Sequence, residues 1–272
     1  MTTADRVLSV LQLFTMTEPD WTVEAAALRL QIPTSTAYRY FRSLTEAGLI
    51  VNFTAGRYVI GPAIIELDRQ ARHFDPLIRA AQPSMRALTE GLETSGVSLL
   101  CRIYRRTVIC VDQAGQPGKE LTISYERGRP MPLFRGAASK VIAAHLSPRA
   151  IRPYFEDEAE AASAAGMGSD WETFKAKARA LRKAEVCVTA GELDEGLLGI
   201  SAPVFGPDGD ILASIGVVLV RAEIDSAAQA DWVEKVRRAG RTVTQTLRQH
   251  ASPPPVSDPA SDQNSPARPA TA

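Results

Sequence analysis

A proline between two short amphipathic segments most constrains what this chain can fold into. The apolar residues of both segments recur at the spacing of one helical face. They are Val23, Ala26, Ala27 and Leu30 in the first segment and Ala37, Tyr40, Phe41 and Leu44 in the second. Pro33 lies between them, and its ring clashes with a continuing helix and pushes Ile32 toward an extended conformation. Two short helices must therefore meet at a steep angle, as in a helix-turn-helix, whose second helix faces a DNA groove.

Two short β-prone runs follow the second helix. Gly48 is suited to end that helix, because glycine adopts the left-handed conformation found there. Residues 49–52 and 57–60 flank the sequence Phe53-Thr-Ala-Gly56 and predict a β-hairpin. A helix-turn-helix with an appended hairpin is a winged helix. Arg57, beside the Gly56 turn, is placed for a phosphate or minor-groove contact.

The outward positions of the second helix carry short hydroxyls followed by arginines, a mix that contacts base edges first and phosphates further along. With the wing, the candidate DNA-binding residues are Thr34, Ser35, Thr36, Tyr38, Arg39, Arg42, Ser43 and Arg57. We also expect Thr34 to cap the start of the helix. A solvated amphipathic face would look the same on the helix alone, and the wing favours DNA binding.

The net charge of the chain does not indicate DNA binding, but the charge of the predicted recognition surface does. Thirty-one Lys and Arg balance 31 Asp and Glu over 272 residues, so the net charge is zero. Salt screens interactions beyond about 10 Å, so phosphate contacts depend on nearby charges. From Arg29 to Arg57 four arginines accompany one acidic residue, Glu46. The predicted recognition surface is therefore basic although the chain is neutral.

Periodicity also predicts the remaining elements. We expect helices over residues 5–16, 62–74, 76–92, 137–145, 171–184 and 225–249. We expect strands over residues 97–103, 107–112, 121–125, 186–189, 199–205 and 211–220. This interleaving indicates an α+β fold with a largely antiparallel sheet. The helix over 62–74 has an apolar face without a partner in so short an element, so pairing with a second copy is expected.

Composition bounds the class of protein. No apolar run is long enough to span a bilayer and the N-terminus lacks a signal-peptide pattern, so we expect a cytoplasmic protein. Three cysteines without a CxxC pair indicate buried, reduced thiols, and no metal or other cofactor is expected. Residues 251–272 are rich in Pro, Ser and Ala and predict a disordered tail.

The chain resembles the IclR family of bacterial transcription regulators over nearly all of residues 5–248. The N-terminal match is IPTSTAYRYFRSLTEAGLI followed by GRYVIG, and the C-terminal matches are PLFRGAASKVIAAHL (132–146) and GELDEGLLGISAPVFGPDGDILASIGV (191–217). The resemblance implies a winged helix-turn-helix domain (1–61), a linker helix (62–75) and a GAF-like effector-binding and oligomerisation domain (76–250) with an antiparallel sheet flanked by helices. It also implies dimers or dimers of dimers that bind a double-stranded DNA operator and a small-molecule effector.

The segment Gly136-Ala-Ala-Ser139 opens a predicted helix with small residues, so that an anion can approach its free N–H groups and the positive end of its dipole. Small residues would equally let the helix lie close to a sheet. With the position of the family's pocket, the candidate effector-binding residues are Ile123, Gly136, Ala137, Ala138, Thr189, Ala190, Gly199, Gly216 and Val218.

Relatives often have acidic or hydroxyl side chains at several of these positions, whereas Gly216 and Val218 offer no side-chain donor. Each unpaired polar group of a buried ligand costs about 1–3 kcal/mol. We therefore expect a small monocarboxylate, an aromatic acid or a related catabolic intermediate, rather than a polyhydroxy or dicarboxylic effector.

These patterns predict a ligand-responsive transcription regulator of a catabolic operon. No Gly-x-Ser-x-Gly elbow or Ser/His/Asp arrangement is visible, so no enzyme is expected. The alternative is a small-molecule sensor or enzyme whose GAF-like domain acts alone and whose winged helix serves protein contacts. Lys140 could meet an anion, but we expect it on a solvated helix face, and we expect Asp194-Glu195 in a solvated loop.

Overall fold

The computed structural model describes residues 2–90, 96–115 and 123–251. The chain divides into two compact units, Met1–Arg79 and Ala80–Ala272. The four-segment division given above stays a prediction. Of its tail, only Ala251 is described, and this residue ends a helix. Residues 252–272 lie outside the described part.

The first helix, α1, spans Thr3–Leu11. The Thr2 side chain accepts a bond from Asp5 N–H, and the Asp5 carboxylate accepts one from Thr2 N–H in return, so both satisfy amides at the helix start. We predicted that this helix would continue to residue 16, which is wrong. After Leu11 the chain makes turns, in which Trp21 Nε1 donates to the Leu13 carbonyl at 2.9 Å.

The helix-turn-helix consists of α2 (Val23–Leu30) and α3 (Thr34–Glu46). Thr22 caps α2 as expected, 3.2 Å from the Ala25 amide. The expected cap at Thr34 is wrong, because Pro33 holds the N-cap position and Thr34 is already helical. The residues of both predicted apolar faces form one core, which contains Val10, Ala26, Ala27, Ala37, Phe41 and Leu44.

The predicted wing is an antiparallel hairpin of β1 (Ile50–Thr54) and β2 (Arg57–Ile60). Tyr58 joins it to the segment before α2, because its backbone exchanges two hydrogen bonds with Trp21 at 2.9 and 3.0 Å. The Tyr58 ring packs edge-on against Phe41, with 4.9 Å between centroids. The wing is therefore fixed to the core of the helix-turn-helix. The following helix α4 (Ala63–Phe74) has no buried residue.

The second unit is built on a six-stranded antiparallel sheet in the order β5-β4-β3-β8-β7-β6. Its strands are β3 (Gly96–Tyr104), β4 (Thr107–Ala114), β5 (Pro130–Pro132), β6 (Cys187–Ala190), β7 (Leu197–Phe205) and β8 (Ile211–Val220). The predicted strand over 121–125 is wrong for residues 123–125, which form a loop, and residues 121–122 lie outside the described part. Ser124 binds the distant Asp194 rather than a neighbouring strand. The short β5 was not predicted.

The helices that complete the fold are α5 (Pro76–Glu90), α6 (Ala137–His145), α7 (Pro148–Asp157), α8 (Ala159–Ala164), α9 (Trp171–Ala184) and α10 (Ser226–Ala251). Both α6 and α10 pack on β7 and β8. Residues 137–144 of α6 are all buried. The sequence did not predict α7 and α8. All three cysteines are buried and free, as expected. Within the described residues, no helix combines the length and apolarity that crossing a bilayer requires.

The close approach at Gly61 provides a test of the wing geometry. A Cβ at this position would lie 2.2 Å from the Gly48 carbonyl oxygen and 2.9 Å from the Ile50 amide nitrogen. We expect Gly61→Ala to lower the free energy of unfolding of the N-terminal unit by at least about 2 kcal/mol, measured by hydrogen exchange of α3 amides. Gly56→Asn is the control, because a Cβ there meets nothing within 4 Å and asparagine tolerates the φ of +76° at this position. Equal effects of the two substitutions would contradict the assigned packing.

Candidate functional site

The outer face of α3 carries the predicted recognition residues. Six of the seven are exposed, and Thr36 is half-buried. They lie opposite the buried Ala37, Tyr40, Phe41 and Leu44. The structure thus places these hydroxyls and arginines on one accessible helical surface, while the apolar residues hold the helix in place.

The charge of this face is partly balanced by neighbouring acids. Arg42 pairs with Glu46 at 2.8 Å, and Arg57 of the wing pairs with Asp20. The Tyr38 hydroxyl donates to Glu24 at 2.8 Å. The exposed Arg39 forms no ion pair within the described chain. The surface is therefore less basic than its arginine count suggested, although exposed pairs are worth only about 0–1 kcal/mol and can exchange for phosphate.

The second candidate site is a cavity at the start of α6, hereafter the α6 cavity. Six predicted effector residues line it, namely Gly136, Ala137, Ala138, Thr189, Gly199 and Val218. The structure adds residues that we did not predict, namely Leu99, Tyr125, Gly191, Glu192, Leu193, Asp194, Leu197, Ser201 and Val217. The cavity volume is about 30 Å³. That volume suits one or two water molecules.

Three predicted effector residues lie outside this lining. Ile123 is buried within the hydrophobic core, and Ala190 is exposed at the end of β6. Gly216 lies where a Cβ would come within 2.2 Å of the Ile200 carbonyl oxygen. The glycine at this position therefore permits close strand pairing.

The start of α6 presents backbone donors to the cavity. Gly136 adopts a φ of +85° at the N-cap position, and its N–H donates to the Glu192 carboxylate at 3.1 Å. The amides of Ala137 and Ala138 are buried and have no hydrogen-bond acceptor among the described residues. Buried amides are seldom left unpaired, and here they coincide with the positive end of the helix dipole. This arrangement can hold an anion.

Lys140 does not lie on a solvated face, so that prediction is wrong. The residue is only 7% exposed, and its ammonium forms an ion pair with Glu192. Arg135 Nε also donates to the carbonyl oxygen of Glu192. The ion pair of Lys140 could have been predicted from the sequence. A single lysine in a helix of otherwise apolar and small residues requires a buried counter-ion.

Asp194 is likewise not simply solvated. Its carboxylate accepts bonds from the backbone N–H of Ser124, at 2.8 Å, and from the Ser124 hydroxyl. The loop of residues 191–196 is thereby tied to the loop of residues 123–129. Gly191 and Gly196 bracket the 191–196 loop, with φ values of +65° and +78°.

Leu193 and Tyr125 cover the start of α6. A Cβ on Gly136 would lie 2.5 Å from Leu193 Cδ1 and 2.9 Å from the Tyr125 hydroxyl. That hydroxyl also lies 2.9 Å from Ser139 Oγ. Burial raises the pKa of Tyr125, so the phenol stays protonated and able to donate. No cluster of three or more His, Cys, Asp or Glu suited to a metal ion occurs in the described residues.

Comparison with known protein families decides the identity of this architecture. Residues 70–245 match the family model for the bacterial transcriptional regulator IclR C-terminal domain, and residues 3–52 match the IclR helix-turn-helix domain. The chain belongs to the IclR family. The family predicted from the sequence and its α+β fold with an N-terminal helix-turn-helix are thus confirmed, and the chain is a transcription regulator of the IclR type.

Individual relatives are distant but span most of the chain. The Pca regulon regulatory protein of Pseudomonas putida is 22% identical over 218 residues, which cover 80% of this chain and 74% of that protein. An IclR transcriptional regulator from Alicyclobacillus acidocaldarius has a similar fold, with a TM-score of 0.74, 19% identity and coverage of 90% and 98% of the two chains. An IclR homologue from Microbacterium hydrocarbonoxydans, solved with 4-hydroxybenzoate, gives a TM-score of 0.67 at 17% identity, covering 91% and 100%.

Proposed function

We propose that this IclR-type regulator binds operator DNA through α3 and the wing, and binds a small aromatic monocarboxylate in the α6 cavity. The observation that carries the second part is the pair of buried, unpartnered amides at Ala137 and Ala138, which line the cavity. A carboxylate is the ligand group that these donors and the helix dipole fit best.

The walls of the α6 cavity support an aromatic ligand. Leu99, Leu197, Val217 and Val218 give apolar surface, and small residues leave space at the start of α6. Thr189 and Ser201 add hydroxyls that can orient a ligand. The relative from Microbacterium hydrocarbonoxydans was solved with 4-hydroxybenzoate, an aromatic monocarboxylate of this kind. Control of a catabolic operon fits such an effector.

Ligand binding requires the α6 cavity to open. At about 30 Å³ the cavity has no room for an aromatic ring. The ligand must therefore stabilise a conformation that differs from this one, and this differential affinity is what an allosteric effector needs. We propose that the change reaches the DNA-binding unit along α4.

Self-association through α4 is also part of the proposal. This helix exposes three apolar residues at the spacing of one face, namely Ile64 by 36%, Leu67 by 52% and Phe74 by 67%. An apolar face on a helix with no buried residue is suited to pair with the same helix of a second copy, and a dimer would match a two-fold operator. A DNA target supports a cytoplasmic location. We propose no catalytic activity, because relatives of this chain are named as regulators.

The α3 face is tested by arginine substitutions. We expect Arg39→Ala and Arg42→Ala each to weaken operator binding by about 1–3 kcal/mol, because each removes a contact to a base or phosphate. The measurement is fluorescence anisotropy with the gene's own upstream intergenic DNA at fixed salt. Arg6→Ala, in α1, is the matched control and should leave affinity unchanged. Wild-type affinity in both α3 variants would refute the assigned face.

The effector site is tested by titration calorimetry with 4-hydroxybenzoate, benzoate and phenylacetate. We expect Gly199→Val to weaken their binding at least about tenfold, because the new side chain fills the cavity. Its Cβ would lie 3.1 Å from Thr189 Oγ1 and 3.4 Å from Ala137 Cβ. Operator affinity without ligand serves as the control and should be kept. Binding of glyoxylate or sugar acids by the wild type, with none of the aromatic acids bound, would overturn the proposed ligand class.

A further inference from the structure

A carboxylate of the chain itself already occupies part of the anion-binding end of α6. Glu192 accepts the Gly136 N–H at 3.1 Å and pairs with the Lys140 ammonium. These two donors lie beside the unpaired amides of Ala137 and Ala138. The helix start therefore has two parts, one filled by Glu192 and one open to the α6 cavity.

The buried ammonium of Lys140 requires an anion beside it. The Lys140 side chain is 9% exposed, and a buried ammonium without a counter-charge is strongly destabilising. Of the other charged groups nearby, Asp194 binds Ser124, and Arg135 donates to the backbone carbonyl of Glu192. Within the described residues, Glu192 is the acid that neutralises Lys140. Any change that withdraws Glu192 must supply another anion in its place.

Glu192 also forms the wall between two spaces. It lines the α6 cavity and, on its other side, an open groove of about 750 Å³ that includes Phe134, Arg135 and Ala161. The Glu192 side chain is 27% exposed, so its carboxylate has a short path to solvent. A ligand that arrives through the groove meets Glu192 before it meets α6.

We propose that Glu192 is an internal competitor of the effector, and that the effector carboxylate replaces it at the Gly136 amide and the Lys140 ammonium. This inference rests on the proposed function of the α6 cavity. The exchange conserves charge, because one carboxylate leaves Lys140 as another arrives. Opening of the cavity also requires Leu193, which covers Gly136 and follows Glu192 in the chain, to move away from the start of α6.

Replacement of Glu192 by the effector favours ligands that carry a negative charge. A second carboxylate at the start of α6 is repelled by Glu192, so displacement of Glu192 lowers the free energy of the bound state. A neutral amide or ester of the same shape cannot replace the charge on Lys140. The residue therefore sets a preference for monocarboxylates over their neutral analogues.

Chemical rescue tests this directly and needs no aromatic effector. We expect Glu192→Ala to lower the melting temperature of the full chain and to leave an empty anion site. Millimolar acetate should restore the melting temperature of this variant by about 2–4 °C, whereas acetamide should not. Wild type and Glu195→Gln should not respond to acetate, because Glu195 is exposed on the same loop and makes none of these contacts.

A second variant covers the case in which Glu192→Ala does not fold. Glu192→Gln keeps the shape but holds Lys140 weakly, so we expect it to bind 4-hydroxybenzoate about tenfold more tightly than wild type, equivalent to one charge-assisted hydrogen bond. Glu195→Gln should bind as wild type does. A purely supporting role for Glu192 would instead give weaker binding.

The outcomes separate the two proposals. Acetate rescue of Glu192→Ala without any binding of aromatic acids would leave Glu192 as the internal occupant and refute the proposed effector class. Tight binding of 4-hydroxybenzoate by wild type, with weaker binding by Glu192→Gln and no acetate-specific rescue of Glu192→Ala, would overturn the competitor role while keeping the effector site.

Discussion

The burial of α6 against the sheet sets the conditions for the rest of the C-terminal unit. A helix start leaves backbone amides without intrahelical partners, and those amides become costly when the helix lies in the core. Here α6 is buried through residue 144, so these amides need partners from the fold or from a molecule in the cavity. One of these amides binds Glu192, and those of Ala137 and Ala138 face the α6 cavity. The site follows from this requirement of the fold and from the small residues that keep the helix start accessible.

The N-terminal unit has a different requirement, which is to hold α3 in place on a small core. Its core is small, and the wing contributes to it through Tyr58, which contacts Trp21 and Phe41. Both faces of α3 are therefore used, one for packing and one for the solvent-exposed hydroxyls and arginines. The ion pairs of Arg42 and Arg57 are exposed and can exchange for phosphate.

Periodicity predicted much of this architecture because most helices and strands have one buried and one exposed face. It failed where that rule does not hold. In α6 residues 137–144 are buried, so the position of Lys140 on the helix carried no information about exposure. Periodicity could not predict the role of the 191–196 loop, because that role depends on contacts with Ser124 and Gly136. Both residues are distant from the loop in sequence. Gly216 was expected in the pocket from the position of the family's pocket, but at this position the small residue permits close strand pairing.

The central claim is that occupation of the α6 cavity and binding of the operator are energetically coupled. Linkage requires each ligand to change the affinity of the other by the same factor. The direct measurement is the affinity of the protein for 4-hydroxybenzoate, determined once on the free protein and once on its operator complex. The account predicts that the two affinities differ at least about fivefold, with an equal change in operator affinity when the acid is saturating. Tight binding of the acid with the same affinity in both states would contradict it.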